Sequence, residues 1–110
     1  MKLFLLKSSL VLLFSCSKTD DNCIPNCLSE EIEKLLSYNC IGKPNISEYY
    51  FQYQFVYLLD AGICSSDDGY TIINSNCKEI GYIGGVLGLT IVNGEDFTKK
   101  AKLIRVIWEK

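Results

Sequence analysis

The sequence predicts an α+β fold, in which one N-terminal helix packs on an antiparallel sheet of about five strands. A single amphipathic helical pattern occurs early in the chain. Several short runs of aromatic and β-branched residues follow it, and no helical pattern separates those runs. Strands in such an order form a meander, and the helix covers one of its faces.

The helix is predicted to begin at Ser29, a residue type that caps helix N-termini well. Acidic residues at 30, 31 and 33 place negative charge on the first turn, where the helix dipole favours it. The helix is expected to end near Tyr38, because Gly42 and Pro44 follow as helix breakers. Apolar residues recur at helical spacing and form one stripe: Leu28, Ile32, Leu35 and Leu36.

Five later segments have the composition of strands. Polar residues at 52–54 and 75–76, together with Asn93-Gly94, predict the turns between strands. Residues 60–69 predict a loop, and the glycine-rich segment 84–88 predicts an irregular connection. The predicted strands are 46–51, 55–59, 70–73, 77–83 and 103–108.

The first fifteen residues read as a targeting signal. Lys2 and Lys7 flank an apolar run that is too short to span a bilayer, which takes about 20 apolar residues. Leu13-Phe14-Ser15-Cys16 resembles a lipobox, which implies cleavage before Cys16 and acylation of its thiol. The polar residues after Cys16 then form a tether. The alternative is an ordinary secretory signal with a chance cysteine at its end.

Six cysteines are present, and an exported chain meets an oxidising compartment. With Cys16 lipidated, five remain, which allows two disulfides and one unpaired thiol; without lipidation, six could form three bridges. Spacing alone does not fix connectivity. We expect the local pairs Cys27–Cys40 and Cys64–Cys77, which leave Cys23 unpaired.

Composition argues against several classes of function. The chain has 11 Lys and Arg, of which Lys2 and Lys7 precede Cys16, against 13 Asp and Glu, so the mature chain carries a net charge of about −4. A nucleic-acid partner is therefore not expected, since such partners call for a basic face. The chain has no histidine. Cys/His or Ser/His catalysis is thereby excluded, and we expect no enzyme activity, no catalytic residues and no cofactor.

A pattern of single residues and short motifs extends along the mature chain: Tyr49, Val56-Tyr57, Cys64, Asn76-Cys77, Gly81-Tyr82, Gly84-Gly85, Gly88, Asn93-Gly94, Asp96-Phe97 and Ile107-Trp108. This pattern resembles that of a known family. Residues 23–110 are similar to a domain of unknown function found in many small lipoproteins of Gram-negative bacteria. The resemblance implies an exported lipoprotein with a small disulfide-containing domain and no established activity. The resemblance also implies a structural role for six residues of this pattern. These six residues are Gly84, Gly85, Gly88, Gly94, Phe97 and Trp108.

Four sequence patterns could bind a ligand, but each also has a purely structural interpretation. Cys23 and Cys27 are a weak half-site for zinc, and no metal site is expected. Asp67-Asp68 could bind calcium or form a solvated turn. The glycines of 81–88 could cradle a phosphate or permit a bend between strands. The aromatic residues of 49–57 could form an outward platform for a carbohydrate or peptide, or pack across paired strands.

These observations divide the chain into a signal peptide at 1–15, a lipidated cysteine and tether at 16–26, and one domain at 27–110. We expect an outer-membrane lipoprotein of the cell envelope that is held to membrane lipid by an acyl anchor. Its domain would be a non-catalytic binding module with a protein or glycan partner. The alternative is a module similar to a protease inhibitor, with a loop at 60–69 presented by Cys64 and Cys77.

Overall fold

The computed structural model describes residues 24–64 and 68–110, and the signal, Cys16 and Cys23 lie outside them. The described chain is α+β, as predicted. It consists of one ten-residue helix, a second helix of four residues, a five-stranded antiparallel sheet and a small two-stranded sheet. The elements in chain order are α1 (Leu28–Ser37), β1 (Asn45–Phe51), β2 (Gln54–Asp60), β3 (Gly69–Asn74), β4 (Glu79–Gly84), β5 (Ile91–Val92), β6 (Glu95–Asp96), α2 (Phe97–Lys100) and β7 (Lys102–Glu109).

Helix α1 begins at Leu28, one residue before the predicted N-cap. Cys27 occupies the N-cap position and makes no side-chain capping hydrogen bond. Ser29 lies in the first turn, where its hydroxyl donates to the Asn26 carbonyl at 3.1 Å. The prediction that Ser29 caps the helix was therefore wrong. Cys27 occupies this position, and its sulfur is bonded to Cys77 in the turn between β3 and β4, so a tertiary contact fixes this end of the helix.

Strands β1 to β4 form the predicted meander. Residues 52 and 53 make a two-residue turn between β1 and β2, in which Gln52 and Tyr53 have φ of 53° and 64°. Both central residues of such a turn require positive φ, which usually calls for Asn or Gly. Strand β4 begins at Glu79 and not at Cys77. Cys77 has φ of 61°, which places it in the turn and not in extended backbone.

Alternation along the strands produces a core on each face of the sheet. In β2, Tyr57 and Leu59 face α1, whereas Val56 and Leu58 face the opposite side. The α1-side core consists of Leu28, Leu35, Ile46, Tyr57, Leu59 and Ile73. The opposite core consists of Phe51, Val56, Ile72, Ile83, Val92 and Phe97.

The second core needs a cover that the sequence did not predict. Asn93-Gly94 makes the expected turn, which joins the two-residue strands β5 and β6. Helix α2 follows, and its Phe97 is 2% exposed. Asp96 caps α2 by accepting from the Thr98 backbone N–H at 3.0 Å and from its hydroxyl at 2.6 Å. These contacts, the hydroxyl foremost, hold the pKa of Asp96 below its ordinary value.

Strand β7 lies where a simple meander would not place it. The order across the sheet is β4-β3-β2-β1-β7, so the last strand pairs antiparallel with the first. The β5–β6 hairpin and α2 carry the chain across the sheet from one edge to the other. Two register shifts interrupt the β1–β7 ladder, between Ile46 and Ser47 and between Glu48 and Tyr49.

Candidate binding groove

A groove of about 320 Å³ lies between α1 and the sheet. It exists because α1 covers the centre of the sheet and leaves the outer part of this face, on β3 and β4, open. One wall is the helix, and the floor is formed by β2 and β3. The lining residues are Glu31, Lys34, Leu35 and Tyr38 on α1, Leu59 and Ala61 at the end of β2, Gly69, Thr71 and Ile73 on β3, and Cys77 and Glu79 on the far side.

Two disulfides fix α1 over this floor. Cys27, at the start of the helix, is bonded to Cys77 in the turn between β3 and β4. Cys40, just past the end of the helix, is bonded to Cys64 in the loop between β2 and β3. The Ile41–Ile63 bridge reinforces the second junction, with N···O distances of 3.1 and 2.7 Å. Both ends of α1 are therefore tied to the ends of β3.

All four predicted cysteines are paired, but the predicted local pairing was wrong. Cys27 and Cys40 flank a ten-residue helix, which holds its ends about 15 Å apart. Cys64 and Cys77 flank the six-residue strand β3, which spans about 20 Å. A disulfide requires Cα atoms within about 7 Å. The observed pairs satisfy this at 6.1 and 4.7 Å.

The helix wall of the groove carries an ion pair between Glu31 and Lys34. Their side-chain atoms lie 3.5 Å apart. The Glu31 side chain is only 16% exposed, whereas Lys34 is 62% exposed. Glu31 is thus a carboxylate largely withdrawn from water, whose single ion-pair partner among the described residues is itself well solvated.

The opposite wall carries a second carboxylate, on the exposed Glu79 of β4. Glu79 has no ion-pair partner in the described part of the chain. At the loop end of the floor, the Tyr82 ring lies over Gly69, where a Cβ would approach the ring to 2.7 Å. A glycine at position 69 therefore lets Tyr82 close over β3.

The six motif residues for which a structural role was predicted are absent from the groove lining. Gly84, Gly85, Gly88 and Gly94 have φ between 63° and 85°, and the first three form the tight connection after β4. Phe97 is buried in the core that α2 covers, and the half-buried Trp108 packs against the α1-side core. The glycines of 84–88 thus form a bend between β4 and β5.

The dense aromatic residues of β1 and β2 mostly pack within the fold. Tyr49 and Phe51 contact the Phe97 ring, with centroids 5.1 and 5.0 Å apart. Tyr50 and Phe55 form a cross-strand edge-to-face pair at 5.2 Å. Tyr57 is fully buried, whereas Tyr50 is 39% exposed and Tyr53, at the hairpin tip, is 93% exposed. No outward aromatic row forms on the described strands.

The acidic loop is partly described. The Asp68 carboxylate accepts from the Cys64 backbone N–H, and Asp67 lies outside the described residues. No group of three or more potential ligands (His, Cys, Asp or Glu) is arranged to hold a metal ion within the described ranges. In those ranges there is also no helix with the length and apolarity needed to cross a membrane.

Sequence reasoning did not identify the groove residues. The sequence analysis assigned Glu31 only a favourable interaction with the helix dipole in the first turn. Lys34 and Glu79 belong to no recognised sequence motif. The available signal was the spacing of Glu31 and Lys34, which places them on one helix face. Glu79 is 45 residues from Lys34, and only the pairing of β3 with β4 brings it to the same groove.

The fold and groove define a small α+β domain whose helix is disulfide-bonded to its sheet. Comparison with protein families matches residues 36–110 to DUF6970, a domain of unknown function. The chain therefore belongs to the DUF6970 family. No curated protein and no solved structure matches the chain.

Proposed function

We propose that this chain is a lipid-anchored protein of the bacterial cell envelope and that its domain is a non-catalytic binding module. In this proposal the groove beside α1 is the binding surface, and the partner is another protein or a surface glycan. The single observation that carries the binding role is a concave surface whose helical wall is disulfide-bonded at both ends to the segments that flank β3 in its floor.

The geometry supports binding because the groove is formed before any partner arrives. A surface that needs no ordering on association loses less free energy when it binds. The floor offers the apolar side chains of Leu35, Leu59 and Ile73, and the rim offers charged and hydroxyl groups. Binding sites commonly combine an apolar floor with a few polar groups in this way.

The anchor rests on the N-terminal sequence. A basic and apolar signal ends in the lipobox-like Leu13–Cys16 segment, and a polar tether follows. Acyl chains on Cys16 would hold the domain at a membrane without a spanning helix. Ser17, in the position after the lipidated cysteine, favours the outer membrane. The resemblance to small lipoproteins noted above supports the same proposal.

The alternative, a module similar to a protease inhibitor, has less support. It required the 60–69 loop to be presented by a Cys64–Cys77 bridge, and Cys64 is instead bonded to Cys40. One observation in its favour is that Ile63, next to Cys64, is 63% exposed. A titration of representative serine and cysteine proteases would reveal inhibition if this alternative holds.

The anchor is tested by intact-mass spectrometry of protein from the membrane fraction of a Gram-negative host, beside a Cys16→Ala control. We expect a mature species that begins at Cys16 with added acyl mass, and we expect the control to lack it. A soluble, unacylated product would refute the anchor and leave six cysteines available for pairing.

A further inference from the structure

We propose that the groove beside α1 binds an arginine side chain presented by a partner protein. This inference rests on the proposed binding function and deepens it, because it names the chemistry of the partner. It is carried by the burial of Glu31, the position of Glu79 across the groove, and the apolar floor between them.

Glu31 is the first part of the argument. Its side chain is 16% exposed, and its one ion pair in the described chain joins it to Lys34 at 3.5 Å. A carboxylate withdrawn from water gains from every charged donor that reaches it. Lys34 supplies one donor group from a solvated position, so Glu31 has capacity for further hydrogen bonds.

Glu79 is the second part. It lines the groove from β4, whereas Glu31 lines it from α1, so an occupant meets a carboxylate on each wall. The three charged side chains of the lining, Glu31, Lys34 and Glu79, sum to one negative charge. A cationic occupant is therefore complementary, and an anionic occupant would face net repulsion.

The chemistry of the groove lining favours arginine among cations. Its aliphatic stem would lie on Leu59 and Ile73, and its charged head would remain at the polar rim, as long basic side chains do on apolar surfaces. A guanidinium has five donors in a planar fork, enough to serve carboxylates on two walls. Tyr38, 55% exposed at the helical wall, offers a ring face for the same group.

The test uses the processed full-length chain, oxidised and ¹⁵N-labelled in detergent, titrated with Ac-Ala-Arg-Ala-NH₂ and followed by NMR. Two control peptides carry citrulline, which is nearly isosteric and uncharged, or glutamate in place of arginine. We expect saturable shifts at the amides of Tyr38, Gly69 and Thr71 with the arginine peptide alone. Added salt should weaken the binding.

Variants assign the effect to the two walls. Glu31→Gln and Glu79→Gln should each lower the association constant about five- to tenfold, because each removes one charge-assisted contact. Glu33→Gln is the matched control, since it removes the same charge from the same helix at a position outside the groove lining. It should change the association constant less than twofold.

Equal shifts with the arginine and citrulline peptides would overturn the arginine assignment while keeping the groove as a binding surface. An absence of groove shifts with all three peptides, in a sample whose spectrum shows a folded domain, would overturn the assignment as well. That result would also count against the groove as the binding surface and would leave the lipid anchor untouched. An unchanged affinity in both glutamate variants would likewise refute the assignment.

Discussion

At the scale of single residues, Glu48 is a buried carboxylate that is held from two sides. It lies in the middle of β1, is 2% exposed, and faces the same side of the sheet as α1. The Tyr57 hydroxyl donates to it at 3.0 Å, and the Arg105 Nε donates to it at 3.1 Å. These three residues join β2, β1 and β7 across the strands, because a buried carboxylate must be paired.

Arg105→Met should destabilise the domain by about 3 kcal/mol, because it leaves a buried carboxylate without its cation while keeping the apolar stem. Chemical denaturation at neutral pH measures the change. Lys102→Met is the control on the same strand: Lys102 is exposed and has no ion pair within the described ranges. Its cost should be under about 0.5 kcal/mol. Equal losses in the two variants would contradict this role for Arg105.

The residue scale also shows where sequence reasoning succeeds and fails. The turn at Asn93-Gly94 could be predicted because both residue types accept positive φ without strain. The turn at Gln52-Tyr53 was placed by polarity alone, since neither residue type favours positive φ. The contact between Glu48 and Arg105 could not be predicted from the sequence. The two residues are 57 positions apart, and their contact depends on which strand lies beside β1.

At the scale of elements, the part of the fold beyond prediction is the cover of the second core. Strands β5 and β6 have two residues each and α2 has four, so none is long enough for its hydrophobic period to repeat. Their positions are set by tertiary packing. Val92 is 1% exposed, and its methyl groups rest over Gly81 of β4, where a Cβ would come within 2.8 Å of both Cγ atoms.

Gly81→Ala should therefore destabilise the domain by about 1–3 kcal/mol, the cost of overpacking a closed contact. Val92→Ala alone should also destabilise it, because it leaves a cavity. In the double variant the new methyl group occupies part of that cavity, so the two losses should be less than additive in a double-mutant cycle. Additive losses, measured by thermal or chemical unfolding, would show that Val92 does not pack on Gly81.

At the scale of the whole molecule, local patterns predicted the fold class and most strands but not the assembly. Helix α1 and strands β1 to β4 follow from periodicity and turn residues, which act over a few positions. The place of β7 beside β1 and the two disulfides depend on contacts between distant segments. The pairs Cys27–Cys77 and Cys40–Cys64 are separated by 50 and 24 residues, and nothing in the local sequence favours them over the shorter alternatives.

The nested pairing determines the shape of the molecule. In the chain-entropy account, closing loops of these lengths stabilises the fold by about 4 and about 3.5 kcal/mol, which is substantial for so small a core. It also fixes α1 at both ends along β3, and this arrangement forms the groove. The proposed binding surface thus depends directly on which cysteines are joined.

The disulfide map is the most direct test of this account. After thiol alkylation, cleavage following Lys and Arg and preceding Asp separates Cys27, Cys40, Cys64 and Cys77 onto four peptides, with Cys23 remaining beside Cys27. Mass spectrometry without reduction should find the peptide ending at Lys34 joined to the Cys77 peptide, and the Cys40 peptide joined to the Cys64 peptide. Cys27 joined to Cys40, with Cys64 joined to Cys77, would contradict the fixed helix and the groove it forms.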